Sequence, residues 1–377
     1  MEPVVVIKAE QYNQEEITKA VEQLLHHLGA ARLVRPGMRV TVKPNLLMKR
    51  QPEEATTTHP IVMKAVIHCL QQLGAGEITI ADSPGGPYSK ALLQGIYQAS
   101  GMEQAAKETG ALLNYDLTYE TVAAPQGKKC TSFHIISPVA KADLVVSVGK
   151  VKTHCMTTLS GGVKNLFGCI PGLQKPELHY RFPQKEEFGE MLVDLAQTVA
   201  PALTIMDGVV AMEGDGPSAG SPVKTGFLCG STSPFALDAF LCRLLGMDST
   251  KVPTVAAAQA RGLAPGEGEV INLGGVPERI PLKQPSSHSV DFISHVPGPL
   301  QGAAAWLRDH ALTPRPAVEK RRCIGCGRCA QSCPAKIIKI TGGKAVVPKE
   351  GCIRCYCCHE MCPVKAIHVR RVKLFDL

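Results

Sequence analysis

At 377 residues the chain exceeds one typical domain, and a composition of 45% hydrophobic and 20% charged residues describes a globular protein with ample core. No apolar run approaches the length of a membrane span, and the start, MEPVVVIKAEQ, has no basic n-region or long apolar stretch, so no signal peptide is expected. The net charge of +8 gathers at the carboxyl end, where 14 Lys and Arg face 4 Asp and Glu from Thr313 onward, against 27 and 29 over residues 1–312.

Residues 4–8 read as a short buried strand. Residues 14–28 carry Ile17, Val21, Leu24, Leu25 and Leu28, an apolar stripe at helical spacing that stops at Gly29. A second strand over 38–42 runs into Lys43-Pro44-Asn45. After a polar loop, Thr58 or His59 is placed to cap a helix with Pro60 in its first turn, and the stripe continues to Gly74. A third strand over 77–81 opens into Asp82-Ser83-Pro84-Gly85-Gly86, and residues 89–110 read as helical pieces broken near Gly101. An apolar strand over 143–148 ends in Gly149-Lys150-Val151-Lys152-Thr153-His154, followed by the small-residue turn Ser160-Gly161-Gly162 and then Lys164-Asn165. Residues 186–199 form an amphipathic helix, and 202–206 a strand reaching Asp207. Beyond a loop over 213–222 come a strand over 223–229, a helix over 234–245, weaker strands over 271–273 and 290–293, and a helix over 300–312. Proline-rich residues 313–322 are a linker.

Strands alternating with helices predict an α/β fold for residues 1–312, a mostly parallel, doubly wound sheet in one or two lobes. Ligands of open α/β sheets bind beyond the carboxyl ends of the strands. Parallel packing would bring Lys43, Asn45, Asp82, Ser83, Lys150, Lys152, His154 and Asp207 to one rim, with Lys164 and Asn165 close by. Lysines there suit a small anionic substrate such as a carboxylate or phosphate. The expected binding set is Lys43, Asn45, Ser83, Lys150, Lys164, Asn165 and Asp207. Lys152 would polarise the bound group, and His154 or Asp82 would supply a proton. Taken singly, each of these residues also has a bland reading as a solvated strand end or turn chemistry. His59, His154 and His179 could instead hold one metal ion, although their separation shows no ligand spacing. Neither a dinucleotide fingerprint nor a phosphate-binding P-loop is present, since GDGPSAG over 214–220 has its glycines in the wrong order and precedes a strand. Electrons, if used, would therefore come from a protein donor.

The carboxyl end repeats one cysteine spacing. CIGCGRCAQSCP carries Cys323, Cys326, Cys329 and Cys333, and CIRCYCCHEMCP carries Cys352, Cys355, Cys358 and Cys362. Both fit C-x2-C-x2-C-x3-C-P, the bacterial iron–sulfur spacing. Disulfides would need an oxidising compartment, and zinc favours separated CxxC pairs. Residues 337–347 around Gly342-Gly343 read as a hairpin between the two runs. The stretch from 318 to 371 resembles the two-cluster [4Fe–4S] ferredoxin domain, a small α+β unit expected over residues 323–377. That resemblance implies one cluster on Cys323, Cys326, Cys329 and Cys362, and a second on Cys352, Cys355, Cys358 and Cys333. Cys357 departs from the pattern and has no place in it. The basic tail would offset the clusters' negative charge, or dock an acidic ferredoxin- or flavodoxin-like electron carrier. Without interleaved aromatics or a known module it does not suggest nucleic acid.

VKPNLL, ATTTHP, ADSPGG, GKVKTH, GGVKNLFGCIPG, His179, MDGVVAMEGDGP and SPFALDAF together resemble the domain of unknown function 362 over residues 1 to about 250–312. That family is often fused to a ferredoxin-like tail, and it implies an architecture and a site without an established reaction. The Asp-Ser-Pro-Gly-Gly turn is also similar to the nickel-dependent lactate racemase fold. Three readings follow: an iron–sulfur oxidoreductase relaying single electrons to an anionic substrate, a non-catalytic electron-transfer or assembly protein, and a non-redox isomerase- or lyase-like enzyme with structural or sensing clusters. Cluster chemistry implies the cytoplasm of an anaerobic prokaryote.

Overall fold

The computed structural model describes residues 2–264, 268–287, 297–300, 302 and 313–370. The large domain contains strands β1 (Val4–Lys8), β2 (Val40–Pro44), β3 (Ile78–Ile80), β4 (Leu112–Leu113), β5 (Tyr119–Ala123), β6 (Ser132–Ile136), β7 (Leu144–His154), β8 (Thr158–Ser160), β9 (Leu203–Glu213), β10 (Ser221–Ser231) and β11 (Val270–Leu273). Its helices are α1 (Gln14–His27), α2 (Pro60–Gln72), α3 (Lys90–Ala99), α4 (Met102–Thr109), α5 (Ser137–Ala140), α6 (Gly162–Asn165), α7 (Gln174–Arg181), α8 (Lys185–Val199), α9 (Pro234–Leu244) and α10 (Pro253–Ala260). The strand expected over 290–293 lies outside the described residues, as does most of the helix expected over 300–312.

Among the described residues, one nine-stranded sheet runs in the order β11-β1-β10-β9-β7-β2-β3-β4, with β8 folded back on β7. Pairing is parallel from β9 through β7, β2 and β3 to β4, and between β1 and β11. Only β10, antiparallel to both β1 and β9, and the short β8 break the pattern. The sheet is doubly wound because strand residues alternate between two cores. Val5, Val42, Ile80 and Val146 pack against α1 to α4, while Val4, Val6, Val145 and Met206 pack against α8, α9 and α10. Helix α1 starts where the Asn13 side chain accepts hydrogen bonds from the N–H groups of Glu15 and Glu16. Helix α2 starts at His59, whose Nδ1 accepts from the N–H of Ile61, with Pro60 at the first helical position.

Two expectations need correcting. Strands β7 and β9 do not stop at residues 148 and 206 but continue to His154 and Glu213. Every residue of β7 is buried, because its second half pairs with β8 on one side and reaches Met212 of β9 on the other. Lys150, Lys152 and His154 are therefore strand residues and not loop residues. The hairpin β5–β6 and helix α7 were also not anticipated.

The carboxyl-terminal domain consists of β12 (Arg315–Val318) paired with β15 (Ile367–Arg370), the hairpin β13 (Lys339–Thr341) and β14 (Lys344–Val346), and one-turn helices at Arg328–Gln331 and Cys357–Glu360. Its sequence repeat is also a backbone repeat. Positive φ angles occur at Gly325, Gly327 and Lys336 in the first half, and 29 residues later at Arg354, Tyr356 and Lys365. Lys336 and all three residues of the second set carry side chains although this region disfavours them.

Candidate functional site: a pocket between the two domains

A cleft of about 620 Å³, including its open mouth, lies where β2 and β3 end. Its walls are Lys43, Asn45, Asp82 to Gly86, Lys164 to Gly168 (Leu166 excepted) and Gly172 to His179 in part, and the cluster domain contributes Ser332, Cys357, Glu360 and Met361. The strand-end position is the one the crevice rule expects. The closing wall from the second domain is not something that rule supplies.

The floor is a chain of ion-paired and hydrogen-bonded groups. Lys43, 1% exposed, has its Nζ 2.8 Å from Asp82 Oδ1 and donates to the carbonyl of Pro44 at 2.7 Å. Asp82 Oδ2 accepts from the N–H of Leu46 at 2.8 Å. Asn45 Nδ2 donates to Asn165 Oδ1 at 3.1 Å, and Asn165 Nδ2 donates to Ser147 Oγ at 2.9 Å. Ser83 Oγ accepts from the N–H of Gly172 at 2.8 Å and from Lys175 Nζ at 3.0 Å. A Cβ on Gly168 would collide with Asp82 Oδ1 and Lys43 Nζ, which is why the 163–170 turn can lie directly on this ion pair.

Lys164 differs from its neighbours. Its ammonium stands 4.4 Å from the ring centre of Phe167 and 6.0 Å from that of Phe188, with no carboxylate or carbonyl acceptor in hydrogen-bonding range among the described residues. Burial pulls it below the ordinary lysine range, and the negative charge of Glu360 opposes that pull. Beside it, His179 stacks on Phe188 at 4.3 Å, and its buried Nδ1 has no hydrogen-bond partner. Burial, and then the Lys164 charge, hold this imidazole well below its usual pKa, so it is neutral. An open cation beside a neutral imidazole is a place for an anion with a second polar atom. Lys175 was not singled out from sequence. It is fully engaged with Ser83, Pro84 and the carbonyl of Ile170, and burial pulls its pKa to about 7.

Other residues expected at the rim stand elsewhere. Lys150 and Asp207 pair with each other at 2.9 Å, both inaccessible, and share the Tyr12 hydroxyl. His59 stacks on Tyr12 at 3.5 Å and its N–H donates to Asp207 Oδ2. This cluster does not line the cleft. Lys152 donates to Asn45 Oδ1 at 2.9 Å and to the carbonyl of Thr56 at 2.7 Å, one layer behind the wall. His154 Nδ1 accepts from the N–H groups of Met156 and Thr157, so in the neutral ring Nε2 carries the proton, 3.9 Å from Glu360 Oε2. His154 thus sits behind Glu360. Of the three histidines that could have shared a metal ion, His59 stands with Tyr12 and Asp207, His154 behind Glu360, and His179 against Phe188, each in a different setting.

The eight expected cluster ligands divide between two cages. Cys323, Cys326, Cys329 and Cys362 line a cavity of about 310 Å³ walled by Ile324, Ile340 and Ile367. Cys333, Cys352, Cys355 and Cys358 line another of about 320 Å³ walled by Ile337, Ile338 and Ile353. In each cage the fourth cysteine comes from the other run. The N–H of Ala345 donates to Cys323 Sγ at 3.3 Å and that of Ala366 to Cys362 Sγ at 3.1 Å. Four thiols, apolar walls and N–H donors aimed at sulfur fit an iron–sulfur cubane.

The sulfur that the spacing left over, Cys357, is 6% exposed and faces the cleft from between Cys355 and Cys358. The segment around it is pinned to the large domain. Ser218 Oγ donates to the carbonyl of Glu360 at 2.7 Å, His359 Nε2 is 3.0 Å from the carbonyl of Asp215, and Arg50 reaches the carbonyl of Cys362 at 3.4 Å. Met361 packs over Gly85, where a Cβ would strike its sulfur.

Comparison with known proteins follows the same division. The family described as Domain of unknown function (DUF362) matches residues 40–243, and the 4Fe-4S dicluster domain matches residues 315–363. The chain is 34% identical over 297 residues, covering 76% of it and 86% of the relative, to the Thylakoid-associated protein sll1697 of Synechocystis sp.. Among solved structures, the lactate racemase apoprotein from Thermoanaerobacterium thermosaccharolyticum gives a TM-score of 0.39 at 14% identity, covering 60% of this chain and 54% of that one. A Thermotoga maritima protein gives 0.35 at 11% identity, covering 58% and 55%. The chain thus spans little more than half the length of either.

Proposed function

The chain belongs to the DUF362 family and carries a 4Fe–4S dicluster domain, and on that premise we propose that it is an oxidoreductase delivering single electrons to a small anionic substrate held between its two domains. One observation carries the reading: the same cleft is walled by Lys164, a half-buried cation with no hydrogen-bond acceptor among the described residues, and by Cys357, Glu360 and Met361, from the segment that runs between Cys355 of one cage and Cys362 of the other. Two [4Fe–4S] clusters, one per cage, supply one-electron transfer when bound.

The chain's own residues do the remaining work. Lys164 binds the anion through a charge-assisted hydrogen bond. His179, neutral, meets a second polar atom of the substrate through Nδ1. The Lys43–Asp82 pair and the Ser83–Lys175 bond leave little freedom for the wall, so the site is organised before binding. Glu360, with His154 behind it, sets a negative charge on the opposite side and orients the anion toward Lys164. The electrons come from a protein donor. A reducing, cytoplasmic setting is part of this reading because free thiolates must persist; the relative's name, Thylakoid-associated protein, suggests that attachment to a membrane surface is compatible with it. No helix among the described residues is long and apolar enough to cross a membrane.

The test is reoxidation of the anaerobically reduced full-length protein by a panel of small carboxylates and phosphates. Lys164→Met is expected to weaken the apparent affinity for the active acceptor at least about tenfold, since a hydrogen bond to a charged group contributes about 1.5–3 kcal/mol. Wild type and variant reoxidising alike with every anion would remove the cleft from the reaction.

A further inference from the structure

The two cages meet their surroundings differently. Around the second, Cys355 and Cys357 pack into the core of the large domain, and Tyr356 is buried against Cys155 with its hydroxyl donating to the carbonyl of Pro314. The first cage faces outward. Cys326 is exposed, Ile324 is 63% exposed, and Ile340 of the hairpin stands open at 38%. Loop 323–328 and the hairpin form one continuous surface. Lys344 Nζ donates to the carbonyl of Cys323 at 2.6 Å, and a Cβ on Gly325 would run into the carbonyl of Gly343.

That apolar centre has a basic rim. Lys320, Arg321, Arg322 and Arg328 flank the cysteine loop, all exposed. The nearest acid in sequence, Glu319, is 3.8 Å from Arg322, which leaves an excess of positive charge. A small apolar centre inside a rim of one charge sign is how a transient redox interface is built: the patch excludes water over the electron path, and the rim steers an oppositely charged partner without holding it long.

We infer that the face formed by Ile324 and Ile340 beside Cys326, flanked by Lys320, Arg321 and Arg328, is the docking surface of an acidic, single-electron carrier protein. The inference rests on the electron-delivery reading above and assigns it a direction, inward from the exposed cage to the cage beside Cys357. In each encounter the carrier's reduced centre loses one electron and this chain gains one. No bond forms or breaks and no proton is required.

The test uses the full-length, cluster-loaded protein under anaerobic conditions, with a purified acidic [2Fe–2S] ferredoxin as the probe. Calorimetry measures binding of the oxidised ferredoxin, and stopped-flow absorbance measures electron transfer from the reduced one. For the wild type, both affinity and second-order rate are expected to fall as ionic strength rises. Arg321→Glu combined with Arg328→Glu is expected to slow transfer at low salt at least about tenfold and to abolish the salt dependence. Dithionite should reduce that variant as completely as the wild type, showing that the cages are intact. Lys185→Glu, a charge change on the large domain, should alter nothing. Equal rates for wild type and the double variant, or an equal loss in Lys185→Glu, would overturn the inference, as would binding no tighter than that of a basic cytochrome c. No cleft ligand takes part, so failure here leaves the Lys164 result standing, and failure at Lys164 leaves this one standing.

Discussion

Four lysines expected near the strand ends reach three different states. Lys150 is neutralised by Asp207, Lys43 by Asp82, Lys152 is hydrogen-bonded to uncharged acceptors, and Lys164 is open. Residue type and spacing do not separate these cases, because each depends on what the opposite element presents. Lys152 gives a measurable consequence. Burial pulls its pKa from 10.5 to about 7. Between those values the unfolded chain holds a proton that the folded chain lacks, so this lysine makes stability rise as pH increases from about 7 toward 10.5. Lys152→Met is expected to flatten that rise by up to about 1.4 kcal/mol per pH unit, read from anaerobic denaturant unfolding at pH 7 and pH 9. An unchanged slope would mean that Lys152 stays charged in the fold. Cys357 makes the same point about legibility. Its departure from the cysteine spacing was visible in the sequence, but its position on the cleft wall depends on a second domain.

At the level of elements, alternating apolar runs located the helices and parallel strands well, and boundaries suffered where polar residues are buried. GKVKTH looks like a strand ending in solvent, yet β7 continues through it because Lys152 finds Asn45 and Thr56 while β8 and β9 complete the backbone pairing. Helix α7, which supplies Lys175 and His179, has only a weak apolar stripe and no side-chain cap, so its pattern carries little signal. The one-turn helix Cys357–Glu360 is too short to hold its own position and depends on contacts to the large domain. His359 bridges the carbonyls of Ile367 and Asp215 at 2.6 and 3.0 Å. His359→Leu is expected to raise amide exchange in residues 213–218 and 356–361 while the sheet remains protected, measured by hydrogen exchange with mass spectrometry. Unchanged protection in both segments would show that Ser218 and Arg50 suffice to hold the domains together.

Across the whole molecule, the large domain has two extensive cores, whereas the cluster domain's own core is eight buried residues, four of them cysteines. Below about 40–60 residues such a core is marginal without a metal. Anaerobic iron chelation of the full-length protein is therefore expected to make residues 319–363 sensitive to limited proteolysis while the sheet resists. Because that segment closes the cleft, anion binding should be lost with it. Equal lability of both domains, or binding that survives chelation, would contradict this division.

The sequence by itself determined the two kinds of architecture and the eight thiols, because periodicity and cysteine spacing are local properties that each segment carries with it. Family membership also followed from residues in order along the chain. Tertiary structure alone decided which of the four lysines has no acceptor among the described residues, that the first domain's site is closed by the second, and which cage faces outward. Those properties are set by contacts between positions up to 312 residues apart, such as Arg50 with Cys362, and a pattern of residue types does not state which distant groups will neutralise one another. The open Lys164 and the exposed loop around Cys326 are what that packing leaves available to a substrate and to a partner.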